Sequence, residues 1–198
     1  MKKTIILASL LFSMLIQAQQ KVHIIPQPVS LEVKEGSFVI DANTGVKSPK
    51  NEKEAEKVVH FFAEYVKRVT GFELNTKQTQ GKNIVFRIEK IKEIGEEGYL
   101  ISVNPNEILV KANTSKGLFY GVQSLLQTLP AVRTNDLVQI PSMQIKDYPR
   151  FQWRGLMLDV SRHFFAPELI KEFIDLLATY KMNVFHWHLV DGAGWRLE

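Results

Sequence analysis

The chain has 198 residues, of which 45% are hydrophobic and 23% charged, proportions that are ordinary for a globular protein. Its formal net charge is +4, and two of the positive charges, Lys2 and Lys3, lie in a segment that we expect to be removed. The remaining positive excess is too small and too dispersed to indicate a nucleic-acid partner. The chain contains no cysteine, which excludes disulfides and leaves the hydrophobic core to stabilise the fold.

Residues 1–18 have the pattern of a secretory signal peptide. Lys2 and Lys3 form a basic start, residues 5–16 form an apolar stretch, and Ala18 offers a small residue at the cleavage point. The apolar stretch is shorter than the roughly 20 residues that a membrane-spanning helix needs. We therefore expect export to the bacterial periplasm, the cell surface or the medium, with cleavage after Ala18 and without a membrane span.

Residues 22–149 mix strand and helix patterns, which predicts a small non-catalytic α+β domain with two helices on one face of a sheet. Apolar residues at helical spacing predict helices over residues 52–70 and from Ser115 to about Leu129. Short runs rich in β-branched residues predict strands at residues 83–88, 99–103 and 108–112, with a last strand and linker at 138–148.

Three details of this domain are predicted from glycine positions. Two apolar runs within residues 29–40 predict two strands around a turn that contains Gly36. Gly117 and Gly121 share one face of the second helix, which predicts close packing of that helix against the sheet. Glu97 and its acidic neighbour have a glycine on either side, so a solvated turn is predicted there and not a catalytic acid pair.

The last part of the chain has the pattern of one β-α-β unit. An apolar strand is predicted over residues 153–160, then an amphipathic helix, then a second strand over residues 183–190. We expect both strands, with their aromatic residues, to be buried as parallel neighbours. Arg162 and Asp191 follow the two strand ends and should therefore face one mouth, where parallel α/β barrels place their active sites.

The chain resembles a known family at these residues. The strings RGLMLDVSRHFF, NVFHWHLVD and GWR are similar to the start of the catalytic barrel of glycoside hydrolase family 20, the β-N-acetylhexosaminidases. Upstream, the IIPQP opening and the GLFYGVQSLLQ helix resemble the non-catalytic domain that precedes that barrel. The resemblance implies that residues 150–198 form the truncated start of a TIM (β/α)8 barrel.

The resemblance implies removal of terminal N-acetylglucosamine or N-acetylgalactosamine from the non-reducing ends of glycans, with neither a cofactor nor a metal. Members of the family retain the anomeric configuration and use the acetamido oxygen of the substrate as nucleophile. Their catalytic Asp-Glu pair lies in a later His-x-Gly-Gly-Asp-Glu-like motif, and no Asp-Glu dipeptide occurs in this chain. We therefore expect the 198-residue chain to be inactive by itself.

The resemblance also assigns roles to single residues. Arg162 matches the family's sugar-binding arginine, whose guanidinium suits ring hydroxyls because it donates several directional hydrogen bonds. Asp191 matches a carboxylate that supports the catalytic acid through a later histidine. Structural or supporting roles are implied for four further motif residues: Asp159, His163, His186 and His188. Trp195 lies in the GWR match and receives no role.

One alternative interpretation of these residues stays open. Arg162 and Asp191 could form a purely structural salt bridge, since such pairs also lie in clefts. His186, His188 and Asp191 have residue types that suit zinc, but this spacing is common by chance and the resemblance implies no metal, so we reject a metal site.

A second class of function also stays open. A (β/α)8 barrel takes about 250 residues, and only 49 residues follow Pro149 in this chain of 198. The chain could act as a non-catalytic carbohydrate-binding protein or be an inert fragment, and its exposed apolar faces would then make it poorly soluble. The sequence indicates no particular oligomeric state.

Overall fold

The structure, a computed structural model, describes residues 22–77, 81–133 and 137–192. We call the described residues up to Pro149 the sheet unit, and those from Arg150 onwards the β-α-β unit. The predicted signal peptide and Trp195 lie outside the described residues. Within the described ranges, the helices are too short or too polar to cross a membrane.

The sheet unit contains one mixed sheet and two helices. Strands β1 to β6 are Ser30–Ile40, Gly45–Lys47, Asn83–Ile88, Tyr99–Val103, Glu107–Ala112 and Val138–Asp147. Helices α1 and α2 are Lys53–Thr70 and Ser115–Leu126. The strand order is β1-β6-β4-β5-β3-β2, in which β5, β3 and β2 are parallel and the other neighbours antiparallel. The predicted sheet with two helices is confirmed.

The core of the sheet unit lies between one sheet face and the two helices. Alternate residues of β4 point into it, and Tyr99, Ile101 and Val103 are all buried. Phe62 of α1 meets Phe86 of β3 edge to face, with ring centroids 5.4 Å apart. Full burial of a large apolar side chain stabilises a fold by roughly 1.5–3 kcal/mol, so this unit has a substantial core of its own.

Helix α2 packs as closely on the sheet as its glycines predict. A Cβ atom on Gly117 would lie 2.4 Å from the carbonyl oxygen of Gly98, and one on Gly121 would lie 3.0 Å from Cγ1 of Val110. The helix is shorter than predicted. It ends at Leu126, and the residues after it form turns of the 3₁₀ type, in which amides bond to carbonyls three residues earlier.

Residues 29–40 contain one strand, β1, where the sequence predicted two. Residues 29–40 do not form a hairpin, because β1 continues along β6 on both sides of an irregularity between Val33 and Ser37. Gly36 lies inside that irregularity with φ of +90°, a value that glycine adopts without strain. The partner strand is long enough to pair with both halves, so Gly36 marks a bulge and not a chain reversal.

The β-α-β unit consists of two short strands and one helix. They are β7 (Gly155–Asp159), α3 (Pro167–Thr179) and β8 (Val184–His188). β7 and β8 pair in parallel, with Asp159 opposite His188, so the predicted parallel neighbours are confirmed.

The expected burial of these strands is wrong for the described residues. Leu156 of β7 is 48% exposed, and the tryptophans expected in the core are also exposed, Trp153 by 69% and Trp187 by 43%. Phe173 of α3 packs against Phe185 of β8 with centroids 5.6 Å apart. Because one helix covers only part of one face of a two-stranded sheet, most apolar side chains of this unit meet solvent.

Candidate functional site

Four polar side chains meet where β7 and β8 end. We call Asp159, Arg162, His188 and Asp191 the strand-end cluster. Nη1 of Arg162 donates a hydrogen bond to Oδ2 of Asp159 at 3.0 Å, and its Nη2 lies 3.5 Å from Oδ2 of Asp191. Nδ1 of His188 lies 3.5 Å from Oδ2 of Asp159. The predicted proximity of Arg162 and Asp191 is confirmed, and Arg162 bridges the ends of the two strands.

Asp159 organises the loop that carries Arg162. Its Oδ1 accepts hydrogen bonds from the backbone amides of Ser161, at 3.0 Å, and of Arg162, at 3.2 Å. A carboxylate that bonds to amides two and three residues ahead forms a compact local turn. The amide of Arg162, then that of Ser161 and the nearby positive charges, hold the pKa of Asp159 below its usual range. The carboxylate is therefore ionised at neutral pH and fixes the start of the Arg162 side chain.

The guanidinium of Arg162 remains open to a ligand. Its side chain is 73% exposed although it contacts two carboxylates. A guanidinium carries five N–H donors, and these contacts use only part of that capacity. Ion pairs exposed to solvent contribute about 0–1 kcal/mol, so a ligand that accepts hydrogen bonds could displace them at little cost.

Two of the candidate histidines lie outside the strand-end cluster. The exposed ring of His163 packs edge-on against Phe165, with centroids 5.1 Å apart. His186 is exposed and lies on the same face of β8 as His188, but two residues earlier in the strand. Across residues 22–77, 81–133 and 137–192, no three His, Cys, Asp or Glu side chains are grouped to hold a metal ion. That the site needs no metal stays a prediction.

Sequence reasoning missed a second charged group, at the opposite ends of β7 and β8. We call Glu97, Asp147, Arg154 and Lys181 the ionic junction. Nη2 of Arg154 donates to Oε2 of Glu97 at 2.8 Å, and Nζ of Lys181 donates to Oδ2 of Asp147 at 3.0 Å. The predicted turn at Glu96 and Glu97 is confirmed, and Glu96 is exposed. The expected solvation of Glu97 is wrong, because Arg154 covers its carboxylate and leaves the side chain 19% exposed. The one signal in the sequence that could have indicated this group is Arg154, a charged residue directly before the apolar strand β7.

Lys181 and Asp147 form the more buried pair of the junction. Nζ of Lys181 also donates to the hydroxyl of Tyr99 at 2.7 Å, and that hydroxyl donates to Oδ2 of Asp147 at 2.7 Å. Burial raises the pKa of Tyr99, which keeps the hydroxyl protonated and able to donate. Burial lowers the pKa of Lys181, while Asp147 acts in the opposite direction.

Comparison with known proteins places the chain in a family. The family model described as "Glycosyl hydrolase family 20, domain 2" matches residues 21–148, and that described as "Glycosyl hydrolase family 20, catalytic domain" matches residues 151–198. The β-hexosaminidase of Porphyromonas gingivalis is 33% identical over 185 residues, which cover 89% of this chain and 24% of that protein. The β-N-acetylhexosaminidase of Cellulomonas fimi is 34% identical over 181 residues, covering 89% and 36%. The chain thus spans about a quarter to a third of the length of these curated relatives.

Solved structures agree with the sequence comparison. The β-N-acetylhexosaminidase of Streptomyces coelicolor superposes with a TM-score of 0.79 at 34% identity, over 87% of this chain and 36% of that one. The chitobiase of Flavobacterium johnsoniae superposes with a TM-score of 0.74 at 34% identity, over 92% and 29%. The resemblance inferred from the sequence motifs is confirmed. Since the domain 2 match alone covers more than half of the chain, the protein belongs to glycoside hydrolase family 20.

Proposed function

We propose that this chain is the N-terminal part of an exported β-N-acetylhexosaminidase, which removes terminal N-acetylglucosamine or N-acetylgalactosamine from glycans. The names of its relatives support this activity, since they are β-hexosaminidases and β-N-acetylhexosaminidases. In this proposal, residues 22–149 form the non-catalytic domain and residues 150–198 begin a (β/α)8 catalytic barrel. The parallel pairing of β7 and β8 through α3 supports the barrel assignment.

The observation that carries the proposal is the position of Arg162. Its exposed guanidinium is held between Asp159 and Asp191 at the ends of two parallel strands. We assign Arg162 to the hydroxyls of the terminal sugar, because a planar guanidinium donates fixed, directional hydrogen bonds. We assign Asp191 to the support of a catalytic acid that another part of the catalytic domain supplies. Asp159 then serves the site indirectly, by holding the loop of Arg162.

The proposed reaction retains the anomeric configuration. The acetamido oxygen of the substrate attacks the anomeric carbon while the glycosidic bond breaks, and a carboxylic acid gives its proton to the leaving oxygen. The carboxylate left by that acid then takes a proton from water, which attacks the anomeric carbon from the face opposite the acetamido oxygen and opens the cyclic intermediate. The acid is thereby regenerated, and two inversions restore the configuration. The residues of this chain bind and orient the sugar in both steps. Because the Asp-Glu pair is absent from its sequence, we propose that the 198-residue chain alone does not catalyse this reaction.

Hydrolysis of p-nitrophenyl N-acetylglucosaminide tests the activity. The product of the gene read beyond Glu198 should release nitrophenol, and the pure 198-residue chain should not. In the active protein, Arg162→Ala should lower kcat/KM roughly hundredfold, because hydrogen bonds to a charged donor contribute about 1.5–3 kcal/mol each. Arg162→Lys should recover little, since an ammonium lacks the planar fork. Turnover by the 198-residue chain, or full activity of Arg162→Ala, would contradict the proposal.

A second candidate function is carbohydrate binding without catalysis. The exposed guanidinium of Arg162 favours it, because this chain carries that donor without any later part of the catalytic domain. Isothermal titration with N-acetylglucosamine should then detect binding by the 198-residue chain, and Arg162→Ala should abolish it. Arg150→Ala removes an equally cationic, exposed side chain from the sheet-side end of the unit, and it should leave the binding unchanged.

The proposed export rests on the basic and apolar pattern of residues 1–18. Expression in a bacterial host with separation of periplasm and cytoplasm tests it. The mature protein should begin at Gln19, which sequencing of its N-terminus would show. Met1 at the N-terminus of the recovered protein, or recovery from the cytoplasm alone, would contradict cleavage and export.

A further inference from the structure

The sheet unit and the β-α-β unit meet through charged residues at the starting ends of β7 and β8. Arg154 directly precedes β7, and Lys181 lies three residues before β8. The partners of Lys181 lie on neighbouring strands of the large sheet, since Asp147 is the last residue of β6 and Tyr99, which it pairs with across the sheet, begins β4. The partner of Arg154, Glu97, lies in the turn just before β4. The junction therefore lies at the opposite end of β7 and β8 from the strand-end cluster.

Arg154 connects three parts of the chain. Its Nε donates to the carbonyl oxygen of Lys181, its Nη1 to that of Phe151 and its Nη2 to Glu97, each at 2.8 Å. These three bonds leave the guanidinium in different directions, and the side chain is largely buried. Because the guanidinium is planar and rigid, the bonds fix the start of β7 relative to both the turn before β8 and the sheet unit.

The first residues of β7 and β8 are held equally closely to each other. The carbonyl oxygen of Arg154 accepts hydrogen bonds from the amides of Asn183, at 2.9 Å, and of Val184, at 3.1 Å. The side chain of Asn183 accepts from the amide of Arg154 at 2.9 Å and donates to Glu97 at 3.3 Å. A Cβ atom on Gly155 would lie 2.9 Å from the carbonyl oxygen of Val184. There is little room here for one strand to slide or separate.

The backbone of Lys181 gives independent support for a specific role. Its φ is +60°, and the amides of Lys181 and Met182 bond back to Ala178 and Leu177 in the pattern of a Schellman motif. Glycine is the usual residue at this position, because a side chain strains the left-handed conformation. A lysine is accounted for here by its ammonium group, which is buried against Asp147 and Tyr99.

Neither a ligand nor simple stabilisation explains the junction. A cleft of about 370 Å³ adjoins it, but Arg154 and Lys181 already have protein partners, so the charges of the junction are not free to bind a ligand there. A buried ion pair contributes little net stability compared with apolar residues of similar size. Its directional bonds do, however, specify a single arrangement of the two strands.

We propose that the sheet unit holds the β-α-β unit, the first part of the proposed catalytic barrel, in one position. The ionic junction fixes the starting ends of β7 and β8, and it thereby sets the separation of Arg162 and Asp191 at the other ends. A strand rises about 3.3 Å per residue, so this effect reaches over roughly 17 Å. Arg154 and Lys181 are positioning residues and do not touch the sugar. The consequence for sugar binding rests on the proposed function of Arg162.

Hydrogen exchange of the 198-residue chain tests the structural half of the proposal. In Glu97→Gln and Arg154→Lys, the amides of β7 and β8 should exchange about tenfold faster, because loss of the junction lets these strands open locally. The amides of β4 should exchange as before. Glu93→Gln is the matched control, since it removes an exposed pair with Lys146 from the same loop and should change neither region. Equal acceleration in all strands would show general destabilisation and overturn the proposal.

Kinetics of the full-length gene product test the functional half. At a temperature well below each unfolding midpoint, Glu97→Gln and Arg154→Lys should raise the KM for p-nitrophenyl N-acetylglucosaminide about tenfold, with kcat within twofold. A displaced Arg162 weakens ground state and transition state alike, which raises KM alone. Unchanged KM and unchanged exchange in folded variants would overturn the proposal. If the wild-type protein lacks turnover, the proposed function fails, and hydrogen exchange alone then decides the positioning role.

Discussion

The two units of this chain keep their structure by different means. The sheet unit packs large side chains such as Phe38, Phe62 and Tyr99 into a core closed by two helices. The β-α-β unit buries only Ile170 and Leu177 among its described apolar side chains. It is attached to the sheet unit through the paired charges of the ionic junction, at the starting ends of β7 and β8. The contrast teaches that hydrophobic burial determines the fold of the first unit, while polar contacts with that unit determine the placement of the second.

Truncation of one apolar side chain in each unit should show the largest difference between the two units. Phe62→Ala removes a fully buried ring and should lower the free energy of unfolding by about 3–5 kcal/mol. Leu156→Ala removes a half-exposed side chain and should change it by less than about 0.5 kcal/mol. Urea unfolding followed by far-ultraviolet circular dichroism measures both. Equal losses would mean that the second unit has a core that these contacts do not reveal.

Removal of the junction lysine should have the next largest effect. Lys181→Met leaves Asp147 buried without its cation and should destabilise the β-α-β unit by about 3 kcal/mol. The lower end of the usual range applies because the carboxylate keeps its bonds from Tyr99 and from the amide of Val29.

Tryptophan fluorescence measures this effect in the right part of the chain. All three tryptophans lie at or after residue 153, so their emission reports unfolding of the second unit. Lys146→Met is the matched control, since it removes the neighbouring exposed lysine and should leave the midpoint close to that of the wild type. A Lys181→Met midpoint equal to that of the control would contradict a junction that holds the unit.

A smaller effect is expected where the two short strands begin. Gly155→Ala brings a Cβ atom against the carbonyl oxygen and side chain of Val184, and overpacking of this kind costs about 1–3 kcal/mol. The tryptophan fluorescence midpoint in urea should fall accordingly. Leu156→Ala, one residue further along the strand, is the control. If Gly155→Ala is as stable as that control, the two strands are not tightly packed at their starts.

Local patterns predicted most of the sheet unit and part of the site. Strands β3 to β5 and the close packing of Gly117 and Gly121 follow from alternation and spacing within a few residues. The meeting of Arg162 and Asp191 was predictable because parallel neighbours end at one edge.

The junction could not be predicted by the same reasoning. Glu97 and Arg154 are 57 residues apart, and Asp147 and Lys181 are 34 apart, so only the docking of one unit on the other brings them together. Nothing in the local pattern indicates a left-handed backbone at Lys181, because glycine is the residue that usually signals it. Contacts between residues of distant segments therefore cannot be predicted from periodicity and motifs.

The smallest predicted effect concerns the charge of Asp159 at the strand-end cluster. Its pKa is lower in the folded chain than the value of about 3.9 usual for an unfolded chain. The ionised form therefore adds stability that is complete above about pH 4 and is lost as the pH falls through the folded pKa. Asp159→Asn still accepts hydrogen bonds from the amides of Ser161 and Arg162 but carries no charge to attract Arg162. Thermal unfolding followed by tryptophan fluorescence should show a wild-type advantage that is present above about pH 4 and shrinks as the pH falls below it. An advantage that grows on acidification would mean that this carboxyl is protonated when it holds the loop, so that charge would not be what orients Arg162.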